Sequence, residues 1–396
     1  METIRTIIEE NRLYIHFQPI LSMRGRVMFG VEALLRGSDR EGSTIPPIRL
    51  FAQAAEEGAE ALLDARARQL AIEAFYVLWR ENPKLLLFVN IESQMIEGFG
   101  AENYLFDGLL RRLGIPYGNI VLEIKEDEVE NTRRLQEFCT HYRGLGFGIA
   151  LDDFGIGRSS FDRLSIVRPD IIKIDRSLVS GIEHDYIHQE IVRTICKMSA
   201  NIGALALAEG VETLDEAVHS TYLGATLVQG FWFARPSQEP LSHEYAKKVE
   251  QVMSRSHQIV IEKHRQREHL RLEADNLCND LKEALDNIEN LSEWNAHVDD
   301  VIEKYSDIEA IYLINAHARQ VGQTLMRCTT RVFFEPTEEG SDLSYKDYYT
   351  QARESIRGSH LTGNYVSLAS GNICCTYARK IDLRGELHVL CVDFMR

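Results

Sequence analysis

Short apolar runs that end in a polar side chain recur through residues 13–235 of this chain. Six of them read VMFGVE, LLLFVN, NIVLE, FGIALDD, IIKID and ALALAE. The polar residues that they carry are Glu32, Asn90, Glu123, Asp152 with Asp153, Lys173 and Glu209. Runs this short, rich in Val, Ile and Leu, are typical of strands in a parallel sheet buried on both faces. The pattern therefore predicts buried strands with polar tips.

Longer helical patterns alternate with these runs, for example over residues 50–80, 131–144 and 186–203. Adding YIHFQPI at the start and TLVQGFWF at the end provides a strand for each position of a TIM-type (β/α)₈ barrel, an α/β fold, over residues 1–240. Catalytic groups in that fold lie at the C-terminal ends of the strands, so the polar tips would share one site. An open doubly wound sheet is the alternative, but no G-x-G-x-x-G motif follows the first strand.

Residues 241–302 are charged and helical in character, which predicts a long linker helix. Apolar or small residues recur there at alternating spacings of four and three, with one polar position. These residues are Leu277, Leu281, Ala284, Ile288, Leu291, Asn295, Val298 and Ile302. The repeat suits a single amphipathic helix lying on the barrel, and it equally suits a parallel coiled coil in which Asn295 would set the register.

Residues 303–396 predict a separate small α+β domain with an antiparallel sheet. Its expected strands are IEAIYLIN, TRVFFEP, GNYVSLAS, ICCTYARKI and ELHVLCVDF, and YKDYYTQARESI is the expected helix. The sequence of this domain shows no metal-binding or nucleophile pattern. We therefore expect it to bind a ligand or to pair with another copy, not to catalyse.

Composition narrows the class of protein. A chain of 396 residues with 44% hydrophobic residues has enough apolar surface for packed cores. The formal net charge of −16 argues against sequence-independent binding to nucleic acid or to anionic membrane. The N-terminal sequence lacks a signal peptide or a membrane-spanning run, which predicts a cytoplasmic protein. The seven cysteines are scattered without C-x-x-C spacing, so we expect them to be reduced.

Carboxylates dominate the predicted strand tips. Those expected at one barrel mouth are Glu32, Glu123, Asp152, Asp153, Glu209 and Glu212. Clustered like charges destabilise a fold unless cations neutralise them. Oxygen ligands without His or Cys favour Mg²⁺ or Mn²⁺ over Zn²⁺, and Asn90 adds a neutral carbonyl oxygen. The consecutive Asp152 and Asp153 suit two ions about 4 Å apart, which is the arrangement that hydrolyses phosphate esters.

Each motif also has a purely structural interpretation. An acidic residue at a strand end can simply cap the next helix. Lys173 can be a surface ammonium, although its apolar neighbours Ile172 and Ile174 favour an enclosed side chain that pairs with carboxylates and holds a water. The glycines of DDFGIGRSS can form only a tight turn, or they can allow a mobile loop over the metals.

These residues also carry a resemblance to a known family. The motifs stand in order as QPI from Gln18, EALLR from Glu32, VNI around Asn90, EIKE from Glu123, DDFGIG from Asp152, KID from Lys173, AEGVE around Glu209 and QG from Gln229. Over about residues 5–240 the chain resembles the EAL-domain family, bacterial phosphodiesterases that open cyclic di-GMP to linear pGpG on a (β/α)₈ barrel.

The resemblance implies a role for each matching residue. Two metal ions, Mg²⁺ or Mn²⁺, would be held by Glu32, Asn90, Glu123, Asp152 and Asp153. Lys173 and Glu209 would hold and activate the water, with Glu209 the general base. The cyclic dinucleotide would be lined by Gln18, Leu35, Arg36, Glu212 and Gln229, and Arg36 can meet a phosphate through its fork of donors. Glu126 would steady the DDFG loop.

Three positions depart from the family pattern. Lys125 replaces the usual Thr, Gly37 stands where a large residue often follows the Arg, and Pro46 and Pro47 lie one place off the usual pattern. None of these changes removes an expected ligand, but Lys125 can alter the position of the loop.

The expected activity is therefore metal-dependent hydrolysis of cyclic di-GMP. The alternatives are a non-catalytic cyclic di-GMP receptor and an unrelated two-metal barrel hydrolase. Beyond residue 300 the chain loosely resembles PAS- or Cache-like domains, which implies regulation, with an unidentified small ligand as a further partner. The four-three repeat and the family's habit of pairing barrels near the DDFG loop predict a homodimer.

Overall fold

The computed structural model describes residues 3–99, 107–125, 129, 131–155, 161–239, 244–291, 294, 298–327 and 335–395. The chain divides into two compact units, Met1–Val260 and Ile261–Arg396. Among the described residues, no helix combines the length and the apolar character needed to cross a bilayer.

The first unit is built on a closed ring of eight strands, which confirms the predicted barrel. A nine-stranded sheet runs in the order β1-β9-β8-β7-β6-β5-β4-β2-β3, and an additional β1–β2 pairing closes the ring with β3 outside it. The strands are β1 Leu13–Ser22, β2 Val27–Ser38, β3 Thr44–Ile45, β4 Leu86–Ile91, β5 Ile120–Lys125, β6 Gly148–Phe154, β7 Ile171–Ile174, β8 Leu205–Ala208 and β9 Leu227–Val228.

Helices cover the outside of this barrel. They are α1 Ile4–Glu9, α2 Pro47–Glu57, α3 Glu60–Glu81, α4 Ser93–Glu97, α5 Asp107–Leu113, α6 Thr132–Leu145, α7 Phe161–Val167, α8 Arg176–Val179, α9 Tyr186–Ile202 and α10 Leu214–Leu223, with a 3₁₀ turn at Tyr117–Asn119. Apolar helix faces and outward strand residues together form the large core of this unit. The alternation of strand and helix that the sequence predicts is therefore present in the fold.

Strand β1 runs antiparallel to both of its neighbours, β2 and β9, which differs from the expected parallel sheet. Only residues 23–26 separate β1 from β2, and a connection this short allows a hairpin but not the crossover that parallel strands require. Gln18 pairs directly with Glu32 across this hairpin. Because β2 continues to Ser38, Glu32 lies within its strand and not at the tip.

The barrel interior has an apolar layer beneath a polar one. The apolar layer is a separate cluster of Ile20, Phe88, Val121, Ala150, Ile171, Leu207 and Leu227. The polar layer consists of the residues two positions away from these in the sequence, towards the barrel mouth. They are Gln18, Asn90, Glu123, Asp152, Lys173, Glu209 and Gln229. Side chains two residues apart in a strand share a face, so both sets point into the barrel. The apolar layer closes the barrel below the polar residues.

Gly30 makes room for the largest side chain of the apolar layer. A Cβ atom at this position would lie 2.6 Å from Phe88 Cε2 and 2.9 Å from the carbonyl oxygen of Leu86. Phe88 is fully buried. The absence of a side chain at Gly30 therefore allows a phenyl ring to fill the barrel.

The second unit contains an antiparallel sheet in the order β11-β10-β15-β14-β12, with β13 paired to β14. Its strands are β10 Ile308–Asn315, β11 Gln320–Met326, β12 Ser359–Leu361, β13 Tyr365–Val366, β14 Ile373–Leu383 and β15 Glu386–Met395. The predicted α+β character is confirmed, with α13 Asp347–Glu354 as the expected helix. The predicted strand TRVFFEP lies mostly outside the described residues, and the PAS or Cache type of the domain stays a prediction.

The predicted linker corresponds to helix α11, Glu244–Asp286, and a short helix α12, Asp299–Ile302. Leu277, Leu281 and Ile288 of the four-three repeat are buried in one cluster with sheet residues such as Tyr377 and Val392. This packing accounts for the repeat without a second helix. Asn295 lies outside the described residues.

Candidate functional site

The ammonium group of Lys173 lies among three carboxylates inside the barrel mouth. Its Nζ atom is 2.6 Å from Glu123 Oε1, 2.8 Å from Asp152 Oδ1 and 2.8 Å from Glu209 Oε1. These residues belong to β7, β5 and β6, and Glu209 directly follows β8. The strands are consecutive and parallel, so their C-terminal ends bring the four side chains together. The enclosed position expected for Lys173 is what the structure shows, at 1% exposure.

Burial and charge shift the pKa values of this group in a consistent way. Burial alone would lower the pKa of Lys173, but Asp152, Glu123 and Glu209 raise it well above its usual value. Burial raises the pKa of Glu123 well above its usual value, although Lys173 opposes the shift. Burial likewise raises the pKa of Glu209 to about 8. Negative charge is costly at this site, and a cation is needed to hold the carboxylates in their ionised form.

A second cluster of side chains lies around Glu32. Asn90 Nδ2 donates to Glu32 Oε1 at 3.2 Å, and Gln229 Nε2 donates to Glu32 Oε2 at 2.6 Å. Gln229 Nε2 also lies 3.3 Å from Gln18 Oε1, and Gln18 Nε2 reaches the carbonyl of Ala234 at 3.4 Å. The structure thus brings together four of the predicted site residues: Gln18, Glu32, Asn90 and Gln229.

Asp152 and Asp153 point two carboxylates toward the site from adjacent positions. Asp153 has a positive φ of 56°, and its backbone N–H donates to Asp152 Oδ1 at 3.0 Å. The left-handed conformation is uncommon outside glycine and is most tolerated by Asn and Asp. Burial raises the pKa of Asp153, and the neighbouring Asp152 adds to this shift.

The donor atoms of this site fit a divalent cation. Carboxylate oxygens of Asp152, Asp153 and Glu209 lie within 4.8 Å of one another. Glu123 Oε2 is fully buried and accepts no hydrogen bond from the described residues. An oxygen-only donor set with an unpartnered buried carboxylate oxygen is typical of Mg²⁺ or Mn²⁺ sites. Glu209, predicted as the base, lies with Asp152 and Asp153 in this group.

The remaining predicted substrate residues lie on neighbouring strands and loops. Arg36 Nη1 donates to its neighbour Leu35 O at 2.8 Å. Burial lowers the pKa of Arg36, although Tyr14 and Glu32 oppose the shift. Glu212 Oε1 pairs with Arg176 Nη1 at 2.7 Å, and the side chain is 42% exposed. Glu126 and the loop residues after Gly155 up to 160 lie outside the described residues, so the proposed loop anchor has no structural description.

A residue not singled out from the sequence, Glu216, holds the loop after β8. Its carboxylate accepts hydrogen bonds from the backbone N–H groups of Glu212 at 2.7 Å, Thr213 at 3.1 Å and Gly181 at 3.2 Å. Thr213 in turn caps α10 through the N–H of Glu216. The Thr-x-x-Glu spacing of a capping box was the sequence signal that could have identified this residue.

A cavity of about 210 Å³ opens beside Asn90, between β2, β4 and helices α2 and α3. Arg68 lines it, is buried, and forms an ion pair with Asp64. Burial lowers the pKa of Arg68 to about 10. Leu35 and Lys125 also line this cavity, so the family departure at Lys125 lies next to the site.

Comparison with known proteins identifies the family. The EAL domain model matches residues 1–236. Cyclic di-GMP phosphodiesterase PdeR of Escherichia coli is 32% identical over 240 residues, which are 59% of this chain and 35% of PdeR. This chain therefore spans about a third of the length of that relative.

Two solved structures are similar to this one. The YkuI protein of Bacillus subtilis, in complex with c-di-GMP and calcium, has a TM-score of 0.83 at 20% identity and covers 100% of both chains. At that identity the likeness shows the fold alone. The MucR phosphodiesterase of Pseudomonas aeruginosa, in complex with c-di-GMP, has a TM-score of 0.54 at 26% identity over 59% of this chain and 95% of that chain.

Proposed function

The chain belongs to the EAL domain family, and on this premise we propose that it hydrolyses cyclic di-GMP to linear pGpG. The observation that carries the proposal is Lys173, enclosed by Glu123, Asp152 and Glu209 within 2.8 Å. Burying an ammonium among carboxylates costs desolvation free energy, and clusters of this kind with shifted pKa values are concentrated at functional sites. The relative PdeR is named a cyclic di-GMP phosphodiesterase, and the structure of MucR is a complex with c-di-GMP.

Two divalent cations are part of the proposal, with Glu32, Asn90, Glu123, Asp152 and Asp153 as their ligands. When bound, such ions lower the pKa of water and neutralise the charge of a phosphate. The oxygen-only donor set and the unpartnered Glu123 Oε2 support this assignment. The carboxylate of Glu32 is held in a fixed orientation, because Asn90 donates a hydrogen bond to one of its oxygens and Gln229 donates to the other.

Glu209 is the proposed general base. Its side chain is 17% exposed, whereas those of Glu123 and Asp152 are 0% and 9% exposed, so water reaches Glu209 most readily among the carboxylates around Lys173. The water oxygen attacks phosphorus, its proton passes to Glu209, and the phosphorus bond to the 3′-oxygen breaks. Lys173 holds the carboxylate and the water in place. The leaving oxygen receives a proton from solvent or from the protonated base.

The proposed nucleotide contacts are Arg36, Leu35, Gln18, Glu212 and Gln229. Arg36 lies beside Leu35 at the end of β2, where a guanidinium can meet a phosphate through two parallel hydrogen bonds. Glu212 and Gln229 carry carboxylate and amide oxygens that suit the donor edge of a guanine base.

One assay tests the activity. Purified protein is incubated with cyclic di-GMP and Mg²⁺ or Mn²⁺, and pGpG is quantified by chromatography. Glu209→Gln should lower the rate at least about 10²-fold while sparing nucleotide binding, because an amide cannot accept the proton. Glu56→Gln, an exposed carboxylate on α2, is the matched control and should leave the rate unchanged. Binding without turnover in the wild type would show a receptor, and no binding would reject the substrate.

We also propose that the second unit regulates turnover and that the chain forms a homodimer. The EAL domain model matches residues 1–236, so the second unit lies outside the matched domain and is available for a regulatory function. Light scattering on the full chain tests the dimer directly. A monomer at working concentrations would remove that part of the proposal.

A further inference from the structure

A small polar cavity lies inside the second unit, away from the residues assigned to the reaction. Its volume is about 40 Å³. Among the residues that line it are Tyr312, Thr324, Lys346, Tyr348, Tyr365 and Asp393. They come from strands β10, β11, β13 and β15, from helix α13 and from the segments beside them. The cavity is therefore built from the folded domain and not from one local segment.

Asp393 supplies a buried carboxyl group to this cavity, and because its pKa is raised to about 7 the group is ionised above neutral pH. The residue is 3% exposed. Both of its hydrogen bonds end on Oδ1, from Tyr312 Oη at 3.3 Å and from Thr376 Oγ1 at 2.7 Å. Within the described part of the chain, no donor reaches Oδ2. One oxygen of a buried carboxylate thus remains available to a ligand that enters the cavity.

Lys346 supplies the opposite charge. The side chain is half-buried, and its Nζ atom lies 5.8 Å from the centre of the Tyr348 ring. Desolvation lowers the pKa of Lys346, although Asp393 opposes that shift. Among the described residues, no carboxylate forms an ion pair with this ammonium, and this includes Asp393. Asp393 and Lys346 thus line one cavity without forming a direct ion pair, and the exposed Glu335 adds a second carboxylate to the lining.

Hydroxyl groups fix the carboxylate end of the cavity. Tyr312 Oη lies 2.7 Å from Tyr348 Oη, and Tyr365 Oη lies 2.5 Å from Thr376 Oγ1. Thr376 then donates to Asp393. The aromatic rings and hydroxyls form a rigid wall that suits a compact cation placed near the carboxylate.

The volume limits the size of the occupant. One water molecule needs about 10–15 Å³ of cavity volume, so this cavity holds about three water-sized groups. A ligand of a few non-hydrogen atoms fills it. A simple anion would meet Asp393, and a simple cation would meet Lys346, so only a molecule that carries both charges satisfies both groups.

We propose that this cavity binds a small zwitterion of about the size of glycine, with its ammonium at Asp393 and its carboxylate at Lys346. The site lies one strand away from helix α11. Strand β14 places Thr376 on the cavity side and Tyr377 on the other face, where Tyr377 Oη donates to Asp275 Oδ1 at 2.5 Å. Side chains at adjacent positions of a strand point to opposite faces, which explains this division.

Calorimetric titration of the full chain with glycine tests the proposal, with L-alanine and β-alanine as larger zwitterions. Acetate and methylammonium each carry one of the two charges and serve as ligand controls. Glycine should bind at least tenfold more tightly than either control. The proposal is overturned if none of the zwitterions binds at 10 mM, or if acetate or methylammonium binds as well as glycine.

Two variants assign the binding to this cavity. Asp393→Asn and Lys346→Met should each weaken glycine binding at least tenfold. Exposed residues of the same domain provide matched controls, Asp342→Asn and Lys380→Met, which should bind as the wild type does. Lys346 is only half-buried, so its variant remains informative if Asp393→Asn fails to fold. Wild-type affinity in a folded Lys346→Met protein would reject the site. None of these readouts depends on the barrel's activity.

Discussion

The ammonium of Lys173 lies 2.6 Å from a carboxylate oxygen of Glu123, and each residue is only 1% exposed to solvent. The two residues stand on β7 and β5, which are separated in the barrel by β6. A charge pair this deep is sensitive to the loss of either partner, because the remaining charge has no water to solvate it.

Lys173→Met should therefore destabilise the barrel as well as stop turnover. The substitution keeps an unbranched side chain but leaves three carboxylates without their cation. We expect the free energy of unfolding to fall by about 3–5 kcal/mol at neutral pH, measured by urea denaturation. Added Mn²⁺ should recover part of the loss by neutralising the same carboxylates.

The control for this experiment is Lys197→Met, which removes an exposed lysine from α9. Its stability should change by less than about 0.5 kcal/mol. If Lys173→Met is as stable as this control, the buried ammonium does not hold the carboxylates together.

Glu32→Ala should abolish turnover and weaken Mn²⁺ binding at least about tenfold, while the far-ultraviolet circular dichroism stays that of the wild type. The physical reason is the loss of two oxygens that Asn90 and Gln229 hold in place. Calorimetry with Mn²⁺ measures the affinity. Glu32→Gln keeps the size of the side chain, so it separates the role of charge from that of packing. Unchanged Mn²⁺ affinity in both variants would remove Glu32 from the metal ligands.

Glu216→Ala should lower kcat and raise KM. Three backbone N–H groups in part-buried hydrogen bonds lose their acceptor, at a cost of about 0.5–1.5 kcal/mol each. Two of these groups belong to the loop that follows Glu209 and carries Glu212, so displacement of this loop moves the proposed base and a proposed nucleotide contact. Glu216→Gln retains one acceptor oxygen and should be intermediate. A lower melting temperature with an unchanged kcat would show that Glu216 only stabilises the fold.

Adding the same methyl group at two glycines should have opposite effects on stability. Gly30→Ala places a Cβ atom 2.6 Å from Phe88 Cε2 and should cost about 1–3 kcal/mol. Gly144→Ala lies on the exposed face of α6 with open space around it, and should stabilise by about 0.5–1 kcal/mol. Thermal unfolding of both variants provides the comparison. The double variant Gly30→Ala with Phe88→Leu should recover stability if the clash is the cause.

Asp393 should make the second unit less stable as the pH rises from about 4 to about 7. Burial raises its pKa from the usual 3.8 to about 7, so in this range the folded state holds a proton that the unfolded state has released. Unfolding then releases a proton, and a higher pH favours it. The full effect corresponds to about 4 kcal/mol and is complete above about pH 7.

The test is the difference in unfolding free energy between the wild type and Asp393→Asn across this pH range. The other titratable groups near this carboxylate are present in both proteins: Lys346, Tyr312, Tyr348, Tyr365, Glu309, Glu335, Cys374 and Cys391. The advantage of the wild type over the variant should decline from pH 4 to pH 7 and then stay constant. A difference that does not depend on pH would show that Asp393 is ionised in the folded protein at all these values.

The sequence alone determined the barrel and the residues at its mouth. The polar residue that follows a short apolar run is a local feature, so each run shows which side chain lies at the C-terminal end of its strand before the neighbouring strands are known. Asn90, Glu123, Asp152 and Lys173 could be placed in this way. Because the C-terminal ends of parallel strands lie at the same end of the barrel, these residues lie close together at its mouth.

Tertiary structure decided what depends on the pairing of distant segments. Three features depend on contacts between distant segments, which no local sequence period predicts. They are the antiparallel direction of β1, the space that Gly30 leaves for Phe88, and the packing of the α11 repeat against the sheet of its own unit. The cavity of Asp393 and Lys346 is of the same kind. Its residues are separated along the chain and come together only because sheet pairing and helix packing bring them within a few ångströms.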